Sequence, residues 1–129
     1  MTEQHRQVVL LVEDNPVNAE LARTLLERDC FEVVHAATAE SALRLAQDVR
    51  PNVVLMDLRL PDADGLAVVR SLRADPTFAQ TAIIALTAYA MARDEEEALA
   101  AGCDGFIVKP FDTRSFTSRI HSILRARPS

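Results

Sequence analysis

VVLMDLRLPDADG, Val53 to Gly65, opens as an unbroken apolar run, ends that run on an acid, and passes at once into turn chemistry. Such a run reads as a strand buried on both faces, because a strand with one wet face alternates polar with apolar residues. Three other segments repeat the layout. Val8 to Val12 leads into Glu13-Asp14, Ala82 to Leu86 into Thr87, and Phe106 to Val108 into Lys109-Pro110. In an open parallel sheet with helices on both faces, the ligand crevice lies beyond the carboxyl ends of the strands. All four polar endings are therefore expected along one edge.

Chemistry follows from that meeting. Three carboxylates at one edge, Glu13, Asp14 and Asp57, repel one another and raise each other's proton affinity unless a cation sits among them. Hard Mg2+, which takes oxygen ligands and keeps several waters, suits such a set. A hydroxyl on Thr87 and an ammonium on Lys109 add a donor and a point charge suited to the oxygens of a transferred phosphoryl group. Taken alone, Asp57 is an ordinary strand-end or turn residue and Lys109 an ordinary surface lysine; their joint occurrence carries the reading.

The intervening segments predict helices. Asn15-Pro16 supplies a cap and a first-turn proline, after which Val17, Leu21 and Leu25 recur every four residues toward an end near Asp29. Phe31 to His35 alternates weakly as a second strand. Thr38 caps a helix carrying Ala42, Leu43, Ala46 and Val49 before Pro51 stops it. Asp64 caps a third with Leu66, Val69 and Leu72 inward, closed by Asp75-Pro76. Met91 to Ala101 forms a fourth whose apolar stripe is thin, with Asp94 to Glu97 near its positive end and Gly102 as terminator. Gly105 to Val108 is the fifth strand, and Asp112 caps a last helix striped by Phe116, Ile120, Ile123 and Leu124. The order βαβαβαβαβα predicts the α/β class: a single doubly wound (βα)5 domain with a five-stranded parallel sheet in order 2-1-3-4-5. It is expected to fill residues 1–129, with an ordered core over about 7–125.

Composition bounds the alternatives. At 129 residues the chain has the length of one domain, and a domain near that size buries roughly two-thirds of its unfolded surface. Hydrophobic residues make up 49% of it, yet their runs are of strand length, far below the ~20 residues that span a bilayer, so no membrane insertion is expected. Met1 to Gln7 is polar and carries no signal-peptide pattern, which makes the cytoplasm the expected compartment. Cys30 and Cys103 fit no zinc or CxxC spacing and are expected as buried thiols. His5, His35 and His121 match no metal-ligand spacing and read as ordinary side chains. A formal net charge of -5 with scattered basic residues argues against direct contact with nucleic acid.

VEDN (Val12 to Asn15), MDLRLPDADG (Met56 to Gly65), LTAYAM (Leu86 to Met91) and GCDGFIVKPF (Gly102 to Phe111) together resemble the response-regulator receiver family, whose fold is flavodoxin-like. The resemblance covers almost the whole chain. Its spelling is similar to receivers of hybrid histidine kinases and to single-domain regulators of the DivK type, the latter favoured because nothing follows the fifth helix.

The resemblance implies that Asp57 is the nucleophile and takes a phosphoryl group from a phosphohistidine on a sensor histidine kinase or histidine phosphotransferase. It implies Mg2+ held by Asp14, Asp57 and the Arg59 backbone carbonyl, with Glu13 on a metal-bound water, and Thr87 and Lys109 on the phosphoryl oxygens. A cis Lys109-Pro110 bond is favoured by the same resemblance. Phosphorylation adds roughly -1.5 to -2 charge units, drawing Thr87 toward the new group; by family analogy the switch aromatic, Phe106 here in place of the frequent tyrosine, then turns inward. The signal would leave through the fourth helix, fifth strand and fifth helix to a downstream protein, the chain being a monomer or a phosphorylation-dependent dimer. Such a domain assists its own phosphorylation and dephosphorylation and is not otherwise an enzyme.

Arg59 and Tyr89, two residues beyond Asp57 and Thr87, border the path of attacking water and are expected to tune phosphoryl lifetime. Two other classes compete. An aspartyl-phosphate hydrolase would commonly need an acid two residues after the nucleophile, where Arg59 stands and cannot serve. A flavin carrier would need a small-residue phosphate loop after the first strand, where Glu13-Asp14-Asn15 is hostile to phosphate without metal. Within the receiver class, output regulator and phosphate relay or sink remain open.

Overall fold

The computed structural model describes residues 6–88 and 92–127. Five strands, β1 (Val8–Val12), β2 (Glu32–Ala36), β3 (Val53–Asp57), β4 (Ala82–Thr87) and β5 (Gly105–Val108), form one sheet in the order β2-β1-β3-β4-β5. All pairings between neighbours are parallel. Five helices connect or follow them: α1 (Pro16–Arg28), α2 (Ala39–Val49), α3 (Gly65–Ala74), α4 (Ala92–Ala101) and α5 (Phe116–Ala126). The expected α/β, doubly wound (βα)5 sheet is the one observed.

The continuous apolar runs have a two-sided explanation. Side chains alternate across a strand, and here both sides are covered. Leu10, Val12, Val54, Met56, Ile83 and Ala85 pack with α2, α3 and α4. Val9, Leu11, Val53, Leu55, Ile84 and Leu86 pack with α1 and α5. Every residue of β3 and β4 is buried, so a Leu55→Ala cavity would cost about 2–5 kcal/mol.

Helix boundaries follow local chemistry. Asn15 Oδ1 accepts from the Val17 and Asn18 amides, and Thr38 forms a reciprocal capping box with Ser41 at α2. Gly102 ends α4 at φ 117°, a left-handed geometry that a side chain would strain. Arg73 ties this far end of the sheet together, donating to Gly102 O, Phe78 O, Thr81 O and the Asp104 carboxylate over 2.8–2.9 Å.

Three expectations are corrected and one is refined. The repeat Val17, Leu21, Leu25 marks α1 but only the flank of its buried face: Val17 is 74% exposed, Leu21 and Leu25 are half-buried against the core, and Ala19, Ala22 and Leu26 meet the sheet. Large side chains at a close helix–sheet approach would hold the helix off, so alanines occupy it. Asp112 does not cap α5. It caps a preceding turn, accepting from the Arg114 amide, and the helix starts at Phe116 after Ser115. The second strand runs one residue later than expected. Cys103 is buried as expected, but Cys30 is exposed, at φ 67° in the link from α1 to β2.

Candidate functional site

Register sets the site. Val12 lies beside Met56, Asp57 beside Leu86, and Thr87 beside Val108. The residues that end β1, β3, β4 and β5 are thus level with one another at the carboxyl edge. Glu13 and Asp57 are 0% and 3% exposed there, whereas Asp14 faces solvent. One carboxylate oxygen from each of Glu13, Asp14 and Asp57 falls within a set spanning at most 4.8 Å. Lys109 reaches across from β5, its Nζ 3.1 Å from Glu13 Oε1 and 3.2 Å from Asp57 Oδ2.

Backbone groups hold the carboxylates in place. The Asn15 amide donates to Glu13 Oε2 at 3.1 Å, and the Arg59 amide donates to Asp57 Oδ1 at 3.0 Å. The Lys109 amide donates to Thr87 O at 2.7 Å, and the Lys109-Pro110 peptide is cis. Gly65, the first residue of α3, lies so close to β3 that an added Cβ would collide with the Asp57 carbonyl and come 2.7 Å from Leu58 Cα. Only a residue without a side chain permits that approach.

Charge balance within the site is uneven. Burial pushes the Glu13 carboxyl up to about 7, with its hydrogen bond to Asp57 acting in the same direction. The Asn15 amide and Lys109 pull the other way and do not prevail. Burial works against the Lys109 ammonium, but its bond to Glu13 and the charge of Asp57 outweigh it and hold its pKa above the ordinary value. Three carboxylates with one ammonium leave an excess of negative charge, the condition that favours a hard divalent cation with oxygen ligands. The donor set fits Mg2+.

The crevice around these groups encloses about 420 Å³ and is bordered by Asn18, Arg59, Thr87 and Ala88 as well as the carboxylates and Lys109. Thr87 is buried at the end of β4 and Arg59 is exposed beside Asp57. Phe106 is half-buried against the α2–α3–α4 side of the core. Tyr89, expected to tune phosphoryl lifetime, lies outside the described residues.

Two supporting residues escaped the sequence reading. Asp62 accepts from the Ala39 and Glu40 amides at 2.8 and 3.2 Å, so the loop after β3 caps α2 from outside that helix. His35, which matches no metal-ligand spacing, bonds the Glu13 carbonyl through Nε2 at 2.7 Å. Neither has a local signal, because each partner lies at least 22 residues away.

An open parallel sheet with an acidic cluster, a lysine and a buried threonine at its carboxyl edge places the protein in the doubly wound α/β class, whose ligand crevices lie at that edge. The family model for the response regulator receiver domain matches residues 9–121. The chain is 39% identical over 116 residues to the polar-differentiation response regulator DivK of Brucella anthropi, covering 90% of this chain and 94% of that protein. Chemotaxis response regulator CheY4 of Vibrio cholerae superposes with TM-score 0.89 at 28% identity, covering 93% of this chain and 100% of that one. The receiver domain of a sensor histidine kinase from Pseudomonas aeruginosa PAO1, solved with a magnesium ion in its active site cleft, gives TM-score 0.84 at 35% identity over 95% and 100%. The chain belongs to the response-regulator receiver family and is a receiver domain of two-component signalling. Among the described residues no helix is long and apolar enough to cross a membrane.

Proposed function

We propose that Asp57 is the phosphoacceptor of a two-component phosphorelay. A carboxylate oxygen of Asp57 attacks phosphorus in line, the P–N bond of a phosphohistidine on a histidine kinase or phosphotransferase breaks, and its electron pair returns to the departing imidazole. The product is an acyl phosphate on Asp57. The observation that carries this reading is the convergence of Glu13, Asp14 and Asp57 within 4.8 Å, with Lys109 Nζ 3.2 Å from the Asp57 carboxylate.

Asp14, Asp57 and the Arg59 carbonyl would hold Mg2+, with Glu13 on one of its waters. Bound there, the ion supplies neutralisation of the carboxylate and phosphoryl charge. Lys109 is a fixed cation for the phosphoryl oxygens, and the Thr87 hydroxyl is a donor at the same edge. Arg59 has no acid–base chemistry near neutrality, so turnover of free substrates is no part of the proposal. Readout passes through Thr87 and Phe106 to the face formed by α4, β5 and α5. Leu99 and Val108 are large apolar residues exposed on that face, at 49% and 38%, which supports an output surface for a protein partner over a bare phosphate sink.

Incubation with Mg2+ and a small phosphodonor, followed by intact-mass spectrometry, tests the reading. One phosphoryl mass is expected on the wild-type chain and none on Asp57→Asn. A folded wild-type chain that gains no mass, or an Asp57→Asn chain that gains it, contradicts the proposal.

A further inference from the structure

The Glu13 carbonyl stands where β1 leaves the sheet. The parallel ladder between β1 and β2 ends at Val12 beside Ala36, and its last bond runs from the Glu13 amide to Ala36 O at 3.0 Å. Beyond that point the chain turns into the acidic loop. A backbone carbonyl left without a donor in a crowded position costs about as much as a lost hydrogen bond. Here the donor is a side chain from the edge strand: His35 Nε2 lies 2.7 Å from Glu13 O. A carbonyl oxygen only accepts, so Nε2 carries the hydrogen.

The peptide held in this way joins Glu13 to Asp14, the two acids that converge with Asp57. Its neighbours are restrained by the Glu13 amide on Ala36 O, by Lys109 and the Asn15 amide on the Glu13 carboxylate, and by the Asn15 cap on α1. The Asn15 contacts act from the same short loop and move with it, and Lys109 holds the side chain of Glu13 rather than the peptide. His35 acts from β2, whose pairing with β1 runs along the whole strand, and so ties the loop to the sheet. Side chains that orient metal ligands through an outer layer of hydrogen bonds typically change metal affinity by roughly 10–100-fold when they are removed.

We infer that His35 is a positioning residue for the divalent-cation site: its imidazole N–H fixes the Glu13–Asp14 peptide and thereby the aim of both carboxylates. The inference rests on the reading of the site proposed above. It differs from a role in strand pairing, which would change stability and leave cation affinity alone.

His35→Leu keeps bulk and removes the donor, His35→Ser is too short to reach, and His35→Gln retains an N–H at comparable reach. Mg2+ dissociation constants from calorimetry are compared with the carbonyl-carbon resonance of Glu13 in the metal-free protein. His35→Leu and His35→Ser should shift that resonance and weaken Mg2+ binding about tenfold, while His35→Gln stays within about twofold of wild type. Unchanged affinity in a folded Leu or Ser variant, or an equal loss in Gln, overturns the inference while leaving the site reading intact. A wild-type chain that takes no Mg2+ overturns both.

Discussion

Lys109 Nζ lies 3.1 Å from Glu13 Oε1, though 96 residues separate the two in the chain. The pair closes the site from β5 and β1, which lie on opposite sides of β3 and its Asp57. It also sets the charge problem, because one ammonium is shared between two buried carboxylates.

Removing that ammonium leaves Glu13 and Asp57 facing each other without the cation they share. Lys109→Met, which keeps most of the aliphatic stem, is expected to destabilise the metal-free fold by about 3 kcal/mol in urea titrations. It should also slow phosphorylation by a small phosphodonor by at least ~100-fold, as expected when a preorganised charge is lost from a transfer site. A variant as reactive as wild type would show that Lys109 serves the fold alone.

The Glu13 carboxyl, held up to about 7 chiefly by burial, makes stability depend on pH. Its folded value lies above the ordinary 4.5, so the folded state binds the proton more tightly. The stabilisation is complete below the ordinary value and is lost as pH rises through about 7. Metal-free protein should therefore melt at a lower temperature at about pH 8 than at about pH 5, and Glu13→Gln should flatten that slope. An unaltered slope in Glu13→Gln would assign the dependence to other groups.

Gly65 permits α3 to start against the backbone of Asp57 and Leu58. Gly65→Ala forces backbone apart at the phosphoacceptor itself, and overpacking of this kind costs about 1–3 kcal/mol. Melting temperature should fall, and the fraction phosphorylated at a fixed time should drop with it. An alanine variant matching wild type in both would mean the strand end gives way without consequence.

Asp62 joins the loop after β3 to the start of α2, and the Ala39 amide is the chief cause that lowers its pKa. A lowered folded value means the contribution is present above the ordinary carboxylate range and is lost as pH falls through the lowered value. Asp62→Ala should speed hydrogen exchange at the Ala39 and Glu40 amides at neutral pH. It should also make the protein less sensitive to acid below about pH 4. Exchange rates equal to wild type would show the cap to be dispensable.

Much of this molecule is legible in the order of its residues. Burial on both faces requires unbroken apolar strands, and that requirement is local, so β1, β3, β4 and β5 and their polar ends are read directly. Caps such as Asn15, Thr38 and Asp64 act within three residues and are equally local. The inward face of α1 is not legible in this way. Valine at position 17 outranks alanine at 19 in hydropathy, yet close packing against the sheet selects the smaller side chain.

The sequence by itself determined the sheet, its order and the chemical kind of each strand ending, because periodicity and turn chemistry act over a few residues. Only the tertiary structure decided which groups support those endings. Asp62 at the head of α2, His35 on the Glu13 carbonyl and Gly65 against Asp57 are contacts between separate segments. They exist because register brings distant backbone to one edge, and no neighbouring residue in the chain announces them.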